Sequence, residues 1–193
     1  AHDFIDQLPA GLPFKAKRIL NDYIVTLSSS GELLDSLSVA DAFAGTRFRS
    51  LLAGNKNTWD VFHTNSVARL ESSMQPHFPS FKVGSLLVSL RSNSIIAVID
   101  PDTRKVVWAK NAPWRYQHSA HFLENGHILL FDNVGKTKHG KSDARILEID
   151  PQSSNIGWEY PPEQGKAFRN HHFGRVQRLK NGNTLITQSL GGR

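Results

Sequence analysis

Three histidines in polar segments, His63 in FHTN, His118 in QHSAH and His172 in NHHFG, are the residues of this chain best suited to chemistry. Imidazole changes charge near physiological pH, so it can serve as nucleophile, base or acid. It is also a ligand for zinc, copper or iron. No HExxH or other short-range ligand motif is present, so the spacing names no metal site. Arg91 in SLRSN and Arg145 in ARILEID each precede a strand ending in Ile-Asp, and their guanidinium forks suit sulfate or phosphate oxygens. Other catalytic signatures are missing: no Walker loop, no GxSxG elbow, no GxGxxG after a strand and no carboxylate pair at recognisable spacing. Cysteine is absent, which excludes thiolate zinc sites, a cysteine nucleophile and disulfides.

For distant histidines to cooperate, the elements carrying them must converge, and the sequence supplies a periodic scaffold. IAVIDPDTRKVVW and ILEIDPQSSNIGW place Asp100 and Asp150, Pro101 and Pro151, and Trp108 and Trp158 at matching positions. In each, an apolar strand reaches Asp, Pro opens a turn with its fixed φ, and a second strand ends on Trp. A second element recurs in SVARL, SAHFLENGHILL and VQRLKNGNTLI, and the latter two share Leu-x-Asn-Gly, a hairpin signal. Aligned on Leu8, Leu70, Leu123 and Leu179, the units recur every roughly 50 to 60 residues. That length suits a four-stranded blade with longish loops. The expected fold is therefore all-β: a β-propeller of four-stranded blades, with this chain forming one partial propeller domain over residues 1–193. It covers about three to four blades. The segment 35–55 is the one expected helix, read as an insertion between blades. The four tryptophans are read as blade-packing residues.

The inner strand of a blade lines the central channel, and the residues before it form the rim. Counting back from the aligned leucines, His63, Tyr116 and His172 share one position, and Asn65 and His118 share the position two later. Side chains two apart on a strand share a face. His63, His118 and His172 are thus expected at similar depth around one axis, with Asn65, Tyr116 and Arg91 beside them to bind substrate. His121 has a different phase, and His77, His127 and His139 fall in loops or outer strands.

Composition narrows the partners. Hydrophobic residues at 39% and charged residues at 21% are ordinary globular values. No apolar run of membrane-spanning length occurs. The formal charge of +6 favours anionic ligands. The basic residues are dispersed, without a recognition helix or Lys/Arg block, so nucleic acid is not an expected partner. The chain begins without Met and starts and stops inside repeat units, the pattern of a mature form or a piece of a longer protein. Three units and a remnant do not close a ring alone, which makes self-association the other route to closure.

Taken together, WDVFHTNSVARL, LLVSLRSNSIIAVID, VVWAKNAPWRYQHSAHFLENGHILLFDN, ARILEID, IGWEY and VQRLKNGNTLI resemble, in order, the bacterial arylsulfotransferase family. The resemblance implies a six-bladed propeller and a periplasmic or secreted location. It also implies ping-pong transfer of a sulfuryl group from a phenolic sulfate ester to a phenolic acceptor through a sulfated histidine, without a cofactor. On that pattern His63 and His118 are active-site histidines and Arg145 an oxyanion clamp, with the nucleophile in FRNHHFG, where His172 fits the strand phase and His171 is its rival. The competing reading is a non-catalytic propeller that binds anionic small molecules, glycans or protein partners. The Ile-Asp-Pro-to-Trp element also resembles quinoprotein propellers. Their turn glycine is replaced here by Arg104 and Ser154, so a quinone cofactor is not expected.

Overall fold

The two Asp-Pro turns show how local chemistry sets the hairpins. The Asp100 carboxylate accepts the N–H groups of Asp102 (3.0 Å) and Thr103 (2.9 Å) and the Thr103 hydroxyl (3.1 Å). Asp150 does the same for the N–H groups of Gln152 (2.8 Å) and Ser153 (3.3 Å) and the Ser153 hydroxyl (2.6 Å). Each carboxylate satisfies the turn's own donors and leaves the flanking segments to pair. Arg104 and Ser154 then close the turns in the left-handed region, at φ of 57° and 65°. In the Leu-x-Asn-Gly turns, Gly126 and Gly182 take φ of 85° and 86° and donate back to Leu123 and Leu179.

The computed structural model describes residues 1–54, 59–136, 142–160, 170–189 and 192. Asn55, His139, Phe168 and Arg169 lie outside the described residues. The first sheet joins β1 (His2–Ile5), β2 (Ile19–Leu27) and β3 (Leu33–Ser38). A short helix, α1 (Val39–Phe43), and a 3₁₀ segment, Arg47–Gly54, follow. The second sheet is β4 (Thr64–Arg69), β5 (Leu86–Leu90), β6 (Ile95–Ile99) and β7 (Val106–Asn111). The third is β8 (His118–Phe122), β9 (Ile128–Lys136), β10 (Ser142–Ile149) and β11 (Ile156–Tyr160). A hairpin of β12 (Arg175–Arg178) and β13 (Thr184–Thr187) completes the described chain. Every pairing within these sheets is antiparallel, and successive strands are neighbours. This is a partial β-propeller of up-and-down blades.

Because the two four-stranded sheets are covered on both faces, their middle strands read as largely apolar runs. All of IIAVI in β6 is buried. One core lies between the first two sheets, around Phe43, Phe62, Ile19 and Leu90. A second lies between the middle sheets, where Phe78, Phe81 and Phe122 meet Trp114. A third seats Phe131 and Ile146 against Val176 of β12. The segment 35–55 is less helical than expected: Asp35 to Ser38 belong to β3, because LLDSLS pairs with β2, and helix begins only where the Ser38 hydroxyl caps Asp41. Trp59 also departs from the packing role. It is 53% exposed, with its ring against Phe4.

The inner strands β4, β8 and β12 stand side by side and are stitched by hydroxyls. Ser66 Oγ accepts the Ala120 N–H (3.1 Å), while Ser119 Oγ accepts the Val176 N–H (3.2 Å) and donates to its carbonyl (3.2 Å). They frame a cleft of about 410 Å³ bounded by Asn65, His118, His121 and Gln177. No helix among the described residues is long and apolar enough to cross a membrane.

Candidate functional site

The rim is positioned by the loop 113–117 ahead of β8, tied by hydrogen bonds at Pro113, Arg115, Tyr116 and Gln117. The Pro113 carbonyl accepts from Arg145 Nη2 (2.7 Å), and the Arg115 N–H donates to Asp132 (2.8 Å). Trp114 is buried. The Tyr116 N–H reaches Ser94 Oγ (3.2 Å), which steadies a residue at φ of 54°. Buried Gln117 donates to Ser89 Oγ and to the carbonyls of Leu90 and Ile95, while its own carbonyl accepts from Asn65 Nδ2 (2.8 Å). Asn65 is thereby turned toward the backbone of the next blade, on a bulge in β4.

His118 follows directly. Its Nδ1 faces two acceptors, the Tyr116 carbonyl (3.0 Å) and Asn133 Oδ1 (2.7 Å), so Nδ1 carries the hydrogen and Nε2 the lone pair. The Asn133 amide has one possible orientation, because its Nδ2 donates to the carbonyls of Asn170 and Phe173. Burial lowers the His118 pKa from 6.5; the Asn133 and Tyr116 acceptors oppose this, and the nearby Arg91 and His63 add to it. The result is a neutral imidazole of fixed tautomer.

Arg91 links this histidine to the others. Its Nη2 lies 3.1 Å from His172 Nδ1, and since guanidinium only donates, Nδ1 of His172 holds a lone pair there. The same guanidinium sits 4.9 Å from the centre of the Tyr116 ring. The Arg91 N–H donates to the His63 carbonyl (3.1 Å), placing the two on adjoining segments. His63, at φ of 53°, directs Nδ1 to Asp60 Oδ2 at 2.5 Å, which leaves Nε2 for other partners. His63, His118, His172, Arg91 and Tyr116 therefore form one cluster. His171 is exposed beside it.

Arg145 is not in that cluster. Its side chain is 6% exposed, with Nε on Asp132 Oδ2 (2.8 Å), Nη1 on Glu159 (3.3 Å) and Nη2 on Pro113. Burial raises the Asp132 pKa, and the Arg115 N–H and Arg145 oppose it by holding the charge. The pair is a buried brace behind the rim. Sequence reasoning missed Asp60, Arg115 and Asn133. Asp60 had a local signal, standing three residues before His63; Asn133 and Arg115 acquire their partners only through folding. Among the described residues no three His, Asp or Glu side chains are grouped to hold a metal ion.

The neutral histidines make stability depend on pH. His121 is, like His118, lowered by burial. In the window just below 6.5 the unfolded chain binds more protons than the folded one, so stability rises with pH and is lost as pH falls. Urea unfolding is expected to show the free energy dropping from about pH 7 to about pH 5, with a shallower slope in His118→Gln. An unchanged slope would mean that His118 titrates alike in both states.

Among solved structures, the chain is similar to a protein of unknown function from Bacteroides caccae, with 14% identity and a TM-score of 0.54, over 89% of this chain and 52% of that one. It is also similar to the WD40 β-propeller domain of Doa1, with 10% identity and a TM-score of 0.46, over 97% of this chain and 47% of that one. The chain thus spans about half the length of each. No curated protein matches. The family model for arylsulfotransferase (ASST) matches residues 5–193, which takes in every blade and every residue of the cluster, and on that extent the chain belongs to the arylsulfotransferase family.

Proposed function

We propose that the cluster transfers a sulfuryl group from a phenolic sulfate ester to a phenolic acceptor, with His172 as the covalent carrier. The observation that carries this reading is Arg91 Nη2 at 3.1 Å from His172 Nδ1. A nucleophilic lone pair and a cation able to hold sulfate oxygens lie at one point. In the first half-reaction Arg91 Nη2 turns from His172 Nδ1 to the sulfuryl oxygens, Nδ1 attacks sulfur, an S–N bond forms, and the S–O bond to the aryl group breaks with its electron pair leaving on the phenolate. Arg91 donates to the sulfuryl oxygens as negative charge builds on them. In the second half, the acceptor phenol loses its proton to Nε2 of His118, its oxygen attacks sulfur, and the S–N bond breaks. The released phenolate takes a proton from solvent and His118 Nε2 gives its proton back to solvent, so in net one proton passes from acceptor phenol to released phenol. His63, oriented by Asp60, serves the leaving oxygen, and nothing is oxidised or reduced. Tyr116 offers a ring for the aryl groups to stack on. Arg145 works as a positioning residue, since its donors are engaged by Asp132, Glu159 and Pro113.

The test is to mix the protein with 4-nitrophenyl sulfate without acceptor and map it by mass spectrometry. A single added sulfuryl group on His172 is expected, removed by adding phenol. Modification on His171 instead would move the carrier by one residue. Binding of the ester with no modification and no turnover, unaffected by His172→Ala, would support the binding-module reading.

A further inference from the structure

Arg115 is not used by the mechanism above, yet it is the most carefully presented cation on the rim. Of residues 114 to 117 it alone is exposed, while its backbone N–H is tied to Asp132 and its carbonyl accepts from Val134 (3.2 Å). The guanidinium lies 5.6 Å from the centre of the Tyr116 ring, which also carries Arg91 at 4.9 Å. Two cations thus share one aromatic ring. Among the described residues neither has a carboxylate partner. An unpaired surface arginine is ordinarily unremarkable, but here the backbone is tied to Asp132, Val134 and Ser94 and the guanidinium lies beside a ring, which restricts it before any ligand arrives. Such pre-organisation suits recognition of a fixed anion, and the paired charge favours a ligand with more than one negative group.

We propose that Arg115 is a seat for a second anion on the substrate. The preferred phenol would then carry a carboxylate or similar group on its ring, bound by Arg115 while the ring stacks at Tyr116 and the phenolic oxygen faces the histidines. This rests on the sulfuryl-transfer reading, and it adds the substrate class. The experiment compares 4-hydroxybenzoate with phenol as acceptors for 4-nitrophenyl sulfate. The wild type is expected to favour 4-hydroxybenzoate in kcat/KM, and Arg115→Ala to lower that ratio about tenfold, mainly through KM. Arg115→Lys is expected to recover part of it. Arg115→Glu is expected to shift preference toward tyramine, whose charge is opposite. A wild type indifferent to the carboxylate, or an Arg115→Ala variant that loses both acceptors in parallel, would overturn the proposal. Calorimetric titration of 4-hydroxybenzoate separates the two readings. Arg115-dependent binding without turnover would sink sulfuryl transfer and keep the anion seat, turnover with an unaltered ratio would do the reverse, and neither binding nor turnover would end both.

Discussion

His172→Ala is expected to lower kcat/KM for aryl sulfate turnover on the order of a thousandfold or more, because under the proposed mechanism it removes the atom that carries the sulfuryl group between half-reactions. His118→Gln is expected to behave differently. The first half-reaction survives, so a burst of nitrophenol remains, while steady turnover falls roughly 10²- to 10⁴-fold, the range for loss of a positioned base. The sulfated protein should then accumulate. Rapid-quench kinetics with and without phenol distinguishes these outcomes. A His118→Gln variant without a burst would place that histidine in the first step, and a His172→Ala variant with normal turnover would remove the carrier from its role.

The second large effect is on stability. Asp132→Ala leaves the Arg145 guanidinium buried without its carboxylate and strands the Arg115 N–H, since both bond to Asp132. Breaking a buried pair in this way costs about 3–5 kcal/mol. For a chain of this size that corresponds to a Tm lower by roughly 10 °C. The double variant Asp132→Leu with Arg145→Met is expected to be milder than either single change, because the two buried charges go together and Glu159 alone, at 11% exposure, loses a partner. Calorimetry on the set checks this. Equal losses in single and double variants would show that volume, not charge, governs the site.

The turns were readable because their chemistry is local: Asp100 and Asp150 bond to residues two and three ahead, so the short motif contains its own cause. Of the three histidines only His118 lies in a strand; His63 precedes β4 at φ of 53° and His172 precedes β12, so strand periodicity alone does not account for where they sit. What the sequence concealed is pairing across strands. Arg145 looked like a free cation before a strand, yet β9 and β10 bring Asp132 directly opposite it. Register with a bulge depends on packing rather than on residue type. Asn133 was hidden likewise, since it bonds to a loop far along the chain. The extent of β3 was missed because apolar spacing in 35–55 fits a helix as well as a strand, and pairing with β2 decides for Asp35 to Ser38.

The Asp132–Arg145 brace also reaches a residue that has no side chain to contribute. A Cβ added at Gly135 would overlap Asp132 Oδ2 and Arg145 Nε. In a saturation library screened for sulfuryl transfer, position 135 would therefore tolerate almost nothing but glycine and would score alongside the histidines. Such intolerance would mark volume already filled by a neighbouring ion pair, and a survey of mutational sensitivity that ignored this would count one reacting residue too many.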